Sequence, residues 1–421
     1  MSVKSWIKEY FKETGSIGKK RLKKLVLSAP FWVITIALAL IIAGVVRYAV
    51  LTGNRSDTRM AGVWGQGSQT PYRHVVVYAR GARREGPTSP LSYIDQDVSL
   101  SRKDILTIRD TLQNVVDSQD KGKKDKGVDS DGRPKGWEDC FSSFLTASVT
   151  EVLGDEAGRT PISTDAQVVA VEGNYSAFHP FVYLSGGFLP EVPVDQDQIV
   201  LNDVLAWRFF NSYDVVGRRV TIFDHDFVVT GVVKENDSFI DRDCGSDEPR
   251  AYIYFTALEK YSPLAQTAQG DPSGDSGSDS SSSDTEVQLG INCYEAMLPE
   301  MVTNVSITDV KTALPNFNNA DPKLYVVSQT GRLNIFKVWD YMLPLGESQS
   351  FIEGYEFPLG ERAIMATMTR LFIDMILVLA GTALLFIGII IAVMRGRKFA
   401  EDNIVNPRVE EREKETKEEQ K

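Results

Sequence analysis

The chain of 421 residues carries a net charge of −11, 43% hydrophobic residues and three cysteines. By the usual ~100–200 residues per domain it holds two or three folding units. Between its two most apolar segments acidic side chains outnumber basic ones 46 to 29, which argues against a phosphate-backbone partner and excludes a nucleic-acid-binding role.

Residues 3–13 set Val3, Trp6, Ile7, Tyr10 and Phe11 on one helical face and Lys4, Lys8 and Lys12 on another. Such a helix suits the inner membrane surface, with Trp6, Tyr10 and Phe11 at headgroup depth and the lysines near anionic lipid. It equally suits packing on a protein partner. Leu25 to Val46 contains no charged residue, and apolar character resumes after Arg47 through Leu51. That length exceeds the ~20 residues that cross a bilayer. It also exceeds the roughly 7–15 apolar residues of a cleavable signal, and no small-x-small cleavage site follows. Met375 to Met394 is a second uncharged run, with Asp374 just before it. Core helices keep a polar face and these segments have none, so both are read as transmembrane helices, over 25–51 and 371–394. Lys4, Lys8, Lys12, Lys19, Lys20, Arg21, Lys23 and Lys24 precede the first, and Arg395, Arg397 and Lys398 follow the second. Basic flanks stay inside, which places both termini in the cytoplasm of a bacterial plasma membrane and residues 52–370 outside.

In the outer segment, residues 52–71 are rich in Gly, Ser, Thr and Gln and read as a connector. His74 to Tyr78 reads as the first strand. Ser101 can cap a helix to Val116, with Asp104 three residues on and Ile105, Ile108, Leu112 and Val116 on one face. Lys121 to Gly136 is a charged loop. Phe141 to Leu153 fits helix or strand. Val168 to Val171, Val302 to Thr308 and Leu324 to Gln329 are strand candidates. The Ser/Gly/Asp stretch from Ser262 to Asp284, extended to about residue 287, cannot bury apolar surface and reads as a disordered insertion. Leu359 to Arg370 reads as a helical stalk entering the second span, and the charged tail after Phe399, broken at Pro407, as solvated.

The most informative stretch is 183–233. Ile199, Val200 and Leu201 are a short strand, and Val204 to Phe210 carries apolar residues at helical spacing. Gly217 sits at the turn before an alternating strand in which Val220 and Ile222 share a face. Asp224 and His225 connect it to a second strand, Phe227 to Val233, interrupted by Gly231, which signals a bulge or a close backbone approach. Trp207, between the strands, is expected to be buried.

The order of these pieces resembles the extracytoplasmic core domain of the MacB type of ABC transporter permease. A glycine-containing strand end (Gly186), the short strand, a helix with Ala206 and Phe209, then Gly217 to Ile222 and Phe227 to Val233 follow that family's pattern over about fifty residues. Arg250 to Phe255 continues it weakly. The resemblance implies a membrane protein with two transmembrane α-helices flanking an extracytoplasmic α+β domain that has porter-like and small β-rich subdomains. It further implies that helix motion, not a central pore, links a cytoplasmic ATPase to the outer domain. Family members have four spans; here the third and fourth are missing. This suggests a reduced subunit that joins a fuller, four-span permease, or a second copy of a related subunit, and a separate ATPase.

Chemistry-bearing patterns are few. There is no G-x-x-x-x-G-K-[ST], so ATP is expected on a partner subunit, and no cofactor on this one. His74, His179 and His225 have no HExxH or paired-Cys context and read as structural, with no metal. Asp129-Ser-Asp131-Gly132 lacks the twelfth ligand of a calcium loop and reads as a turn. No catalytic constellation is visible. The outer location of Cys140, Cys244 and Cys293 permits a disulfide, and a Cys244–Cys293 pair would close the insertion; reduced thiols are the alternative. Asn54, Asn174, Asn236 and Asn304 begin N-x-[ST] tripeptides without other signs of a eukaryotic secretory protein. Two function classes remain. One is a non-catalytic transporter subunit; the other is a two-span sensor, scaffold or FtsX-like regulator of an envelope process.

Overall fold

The computed structural model describes residues 29–66, 70–79, 100–119, 136–153, 159–193, 195–262, 290–300, 302, 304–315, 317, 324–343 and 357–400. The surface-helix residues Trp6, Tyr10 and Phe11, the 121–135 loop with its half calcium motif, the 263–287 insertion and the tail lie outside them. The chain divides into two units: residues 54–368, and the terminal segments 1–53 with 369–421.

The terminal unit is built on α1 (Ala29–Gly53) and the second half of a 42-residue helix, Leu359–Ala400. Both are long and apolar enough to cross a membrane. They pack antiparallel through small residues. Gly44 faces Val378, Gly381 faces Ile41 and the Ala37 carbonyl, and Gly388 faces Ile34. Within this apolar pair Arg47 Nε donates to Asp374 Oδ1 at 2.8 Å, with the Asp374 side chain 1% exposed. A carboxylate in such a segment is costly unless paired, and Arg47 supplies the pair.

The outer unit is a mixed sheet with helices. In chain order it contains α2 (Met60–Trp64), β1 (Tyr72–Ala79), α3 (Arg102–Gln119), β2 (Glu138–Glu151), β3 (Ser163–Gly173), α4 (Tyr175–Phe178), β4 (Val182–Gly186), β5 (Gln198–Asn202), α5 (Asp203–Phe210), β6 (Arg219–Ile222), β7 (His225–Lys234), α6 (Phe239–Asp243), β8 (Arg250–Tyr254), α7 (Phe255–Tyr261), β9 (Cys293–Pro299), α8 (Val305–Ala313), β10 (Leu324–Ser328), α9 (Ile335–Met342) and the start of α10, the Leu359–Ala400 helix. The strand order is β10-β1-β9-β2-β3-β8-β5-β7-β4, with β6 pairing β2 and β7. Pairing is antiparallel except at β3–β8 and β5–β7. The central strands are buried along nearly their whole length, which is why β1 and β8 read as apolar runs, not as alternations.

Local chemistry explains several elements. Ser101 and Asp104 exchange hydrogen bonds at the start of α3, a capping box. Asn202 accepts from Leu205 N at the start of α5. Ser238 and Asp241 cap α6 reciprocally. Phe223 and Asp224 both take positive φ, 53° and 58°, and close the β6–β7 hairpin as a two-residue turn, one position earlier than Asp224–His225.

Four sequence expectations are corrected or resolved. The 52–71 connector contains a 3-10 turn (Asp57–Arg59) and α2. Of Phe141 to Leu153, the residues up to Glu151 are strand, part of β2 (Glu138–Glu151). Val302 to Thr308 is not a strand: α8 begins at Val305 and packs against α3, β1 and β10. Trp207 is not buried. α5 turns Leu205, Ala206 and Phe209 inward and leaves Trp207 50% exposed, its ring centroid 5.3 Å from that of Tyr213.

Candidate functional site

Among the described residues no group of His, Cys, Asp and Glu could hold a metal ion. What the fold does assemble is a belt of buried charges inside the outer unit, and its members come from distant parts of the chain. The three cysteines lie apart from any disulfide: all are free thiols, Cys140 and Cys293 buried, Cys244 partly exposed. The Cys244–Cys293 pair expected from their places beside the insertion is not formed. Cys293 sits inside β9 with its Sγ 3.7 Å from Glu295 Oε1, whereas Cys244 ends α6. Burial pushes the Cys293 thiol well up, and the Glu295 charge adds to that.

The foot of α10 is held by several buried polar side chains. Glu361, in the first turn, has a side chain with no exposure. One of its oxygens, Oε2, accepts from Arg332 Nη1 at 2.6 Å, Tyr78 Oη at 2.7 Å and Gln329 Nε2 at 2.7 Å. Burial draws the Arg332 pKa down, but the Glu361 carboxylate outweighs it and the guanidinium is held more firmly charged than usual. Burial pushes the Tyr78 hydroxyl well up, with Glu361 adding to it. β1, the turn after β10 and α10 thus meet on one carboxylate. Arg55, two residues beyond α1, is 1% exposed; its Nη1 donates to Asp241 Oδ1 at 2.8 Å and its Nε to Thr367 Oγ1 of α10 at 3.1 Å. α10 is therefore held at residues 361 and 367 by side chains of the outer sheet and its loops.

Deeper in the sheet, Glu295 of β9 lies between two imidazoles. His74 Nε2 is 2.7 Å from Oε2 and His179 Nε2 2.7 Å from Oε1. Burial lowers the His179 pKa, but Glu295 more than offsets it, and the net shift is upward from 6.5. Burial would raise Glu295; His179 and His74 hold it well below the usual carboxylate range. Arg250 is paired with Glu235, which Tyr252 also contacts, and Arg250 Nε donates to Gln167 Oε1 at 2.7 Å. Arg73 and Glu300 pair at 2.5 Å. His225 stacks on Tyr261 with centroids 3.6 Å apart.

The linkage at Glu295 has a direction. A histidine raised in the fold contributes stability that is full below its unfolded value, 6.5, and is lost as pH rises through the folded pKa. A depressed carboxylate contributes stability that is full above 4.5 and is lost as pH falls through its folded pKa. Both contributions are complete between pH 4.5 and 6.5. Melting curves of wild type and His179→Gln, subtracted, are expected to show a stabilising contribution of His179 that shrinks as pH rises above 6.5. A difference independent of pH would show that folding leaves the His179 pKa unshifted.

The glycines of the 183–233 module differ in backbone geometry and surroundings. Gly186 has φ +63°, and a Cβ there would stand 2.1 Å from the Thr230 carbonyl oxygen. Gly231 has no positive φ, but its Cβ would stand 2.1 Å from the Gly187 carbonyl oxygen. Gly217 has φ +86° and open space around it. The module frames the sheet edge at β4 and does not touch the Glu361 grip. Sequence reading missed Arg55, Tyr78, Asp241, Glu295, Arg332 and Glu361. The available signal was a lone charge among apolar neighbours, as at Glu295 in Cys293-Tyr-Glu-Ala-Met-Leu298.

Comparison with known proteins bears on this architecture. No curated protein matches the chain. Similar solved structures include the periplasmic region of MacB from Actinobacillus actinomycetemcomitans, 12% identical with a TM-score of 0.33, covering 61% of this chain and 88% of that one. The extracellular domain of the noncanonic ABC-type transporter YknZ from Gram-positive bacteria is 14% identical with a TM-score of 0.32, covering 60% and 99%. The model of the MacB-like periplasmic core domain matches residues 34–289, more than half of the sequence, and the chain belongs to that family.

Proposed function

We propose that the chain is a non-catalytic transmembrane subunit of a MacB-like ABC transporter. It couples a separate cytoplasmic ATPase and a fuller permease to the extracytoplasmic domain, for export or for transmission of mechanical work. The observation that supports this is the burial of Glu361 beneath Arg332, Tyr78 and Gln329 on the same 42-residue helix that carries the second apolar segment. A displacement along that helix would act on β1 and the β10 turn directly, because packed interiors respond as rigid bodies. The domain limits follow: 1–24 as a cytoplasmic basic helix, 25–51 and 371–394 as spans, 52–370 outside and 395–421 as a cytoplasmic tail.

Two experiments test the reading. Purified alone, the chain is expected to hydrolyse no ATP. Gentle extraction from its native membrane is expected to bring down an ABC ATPase and a four-span permease; migration alone, with no ATPase in any extract, would overturn the proposal. For topology, a chain with Cys140, Cys244 and Cys293 replaced by alanine receives single probes. An impermeant thiol reagent is expected to reach Ser280→Cys in intact cells and to spare Ser16→Cys and Glu415→Cys. Labelling of Ser16→Cys would reverse the orientation.

A further inference from the structure

Arg55 is incompletely matched. Asp241 and Thr367 use its Nη1 and Nε, but Nη2 is buried with no hydrogen-bond partner. Arg55 lines a cavity of about 70 Å³ whose other walls include Asp57, Tyr175, Phe181, Tyr252 and Gly360. Gly360 lies in the first turn of α10, where the helical bonding begins with Arg362 N on Pro358 O at 3.1 Å; the leading N–H groups of a helix have no partner within it. Such a terminus attracts negative charge, and here a fully buried guanidinium with a free donor faces the same space.

The other charges around the cavity are already engaged. Arg250 is paired with Glu235, His179 with Glu295, and Asp241 with Arg55 and Ser238. Asp57 is the exception: Oδ1 accepts from Thr58 N, and Oδ2 lies 4.0 Å from Arg55 Nη1. The unfilled valences are therefore donors on two sides, opposed by one carboxylate. The volume of about 70 Å³ is roughly twice the ~30 Å³ share of a liquid water molecule, enough for a planar group of a few heavy atoms. A dianion would meet about twice the repulsion from Asp57 that a monoanion does. The aromatic wall of Tyr175, Phe181 and Tyr252 suits a short apolar tail.

We propose that the pocket between Arg55 and the first turn of α10 binds a small monocarboxylate, whose oxygens accept from Arg55 Nη2 and from the backbone N–H of Gly360. This site goes beyond the coupling reading and stands without it.

The test uses the full chain in detergent, with acetate, N-acetylglycine, sulfate and chloride titrated at constant pH and ionic strength and followed by melting temperature and calorimetry. Acetate is expected to raise the melting temperature saturably; chloride and sulfate are not. N-acetylglycine carries the same carboxylate on a peptide unit. If it binds more tightly than acetate, the source is a peptide terminus; if acetate binds more tightly, it is a free short acid. Asp57→Asn removes the opposing charge at constant size and is expected to tighten acetate about tenfold. Gly360→Leu puts a side chain into the pocket, where its Cβ would meet only Asp57 Oδ2, at 3.8 Å, and it is expected to abolish binding. Failure of both carboxylates to bind wild type and Asp57→Asn would overturn the proposal, as would undiminished acetate binding in a folded Gly360→Leu or tighter binding of sulfate. Should Gly360→Leu fail to fold, the Asp57→Asn arm decides alone.

Discussion

Glu361→Ala is expected to destabilise the outer unit by about 3–5 kcal/mol, because it strands the Arg332 guanidinium in the interior without its counter-ion. Tyr78 and Gln329 lose their acceptor as well. The melting temperature should fall by roughly 10 °C. The pair itself need not be a large net source of stability. Replacing both partners with apolar residues, Arg332→Met with Glu361→Met, is expected to recover most of the loss, since two desolvated charges are removed together. That double variant separates two roles. If the grip transmits force along α10, the double variant folds, yet its assembled complex couples ATP hydrolysis poorly to the outer domain. A double variant that is stable and fully coupled would show that Glu361 is only a packing device. The exposed Arg242–Asp237 pair is the control: Arg242→Ala is expected to leave the melting temperature unchanged, as exposed ion pairs are screened by water.

Elements with local signals were legible in the sequence. β1 showed as His74 to Tyr78, α3 through Ser101 and Asp104, and the β6–β7 hairpin through apolar alternation around Gly217 and Gly231. The two spans declared themselves by length and lack of charge. The misreadings have physical causes. Val302 to Thr308 is rich in β-branched residues, which favour extended structure, but packing of α8 against α3 overrides that weak preference. The place of Trp207 between the strands suggests burial, but an eight-residue helix has one buried stripe and Leu205, Ala206 and Phe209 fill it. The Cys244–Cys293 expectation used chain position alone, and position beside a loop does not direct a sulfur. The charge belt was least legible. Arg55 meets Thr367, and Tyr78 meets Glu361, across about three hundred residues of sequence, and a charged residue carries no local mark of its partner.

The glycines of the module make a graded prediction. Gly217 is strained by any side chain through its φ of +86°, but a Cβ there has open space. Gly217→Val should therefore cost only the conformational term, roughly 1–3 kcal/mol. Gly231 is the reverse case. Its backbone lies outside the left-handed region, yet its Cβ would fall 2.1 Å from the Gly187 carbonyl oxygen and 2.9 Å from the Gly187 nitrogen. Backbone atoms cannot rotate aside as a flexible side chain can. Gly231→Val must push the segment after β4 away from β7, where Gly186 pairs with Gly231 in the ladder. Losing that edge would also expose β7, a strand whose Val229, Val232 and Val233 are fully buried. The expected order of melting temperatures is wild type, then Gly217→Val, then Gly231→Val, with Gly231→Ala already below Gly217→Ala. Trp207 is half exposed and will report this poorly. Hydrogen exchange of the Val182 to Gly186 amides is the better readout, and protection there should vanish in the Gly231 variants and persist in Gly217→Val. Equal loss in both would mean that backbone strain at residue 217, not the close approach of residues 187 and 231, holds the sheet edge together.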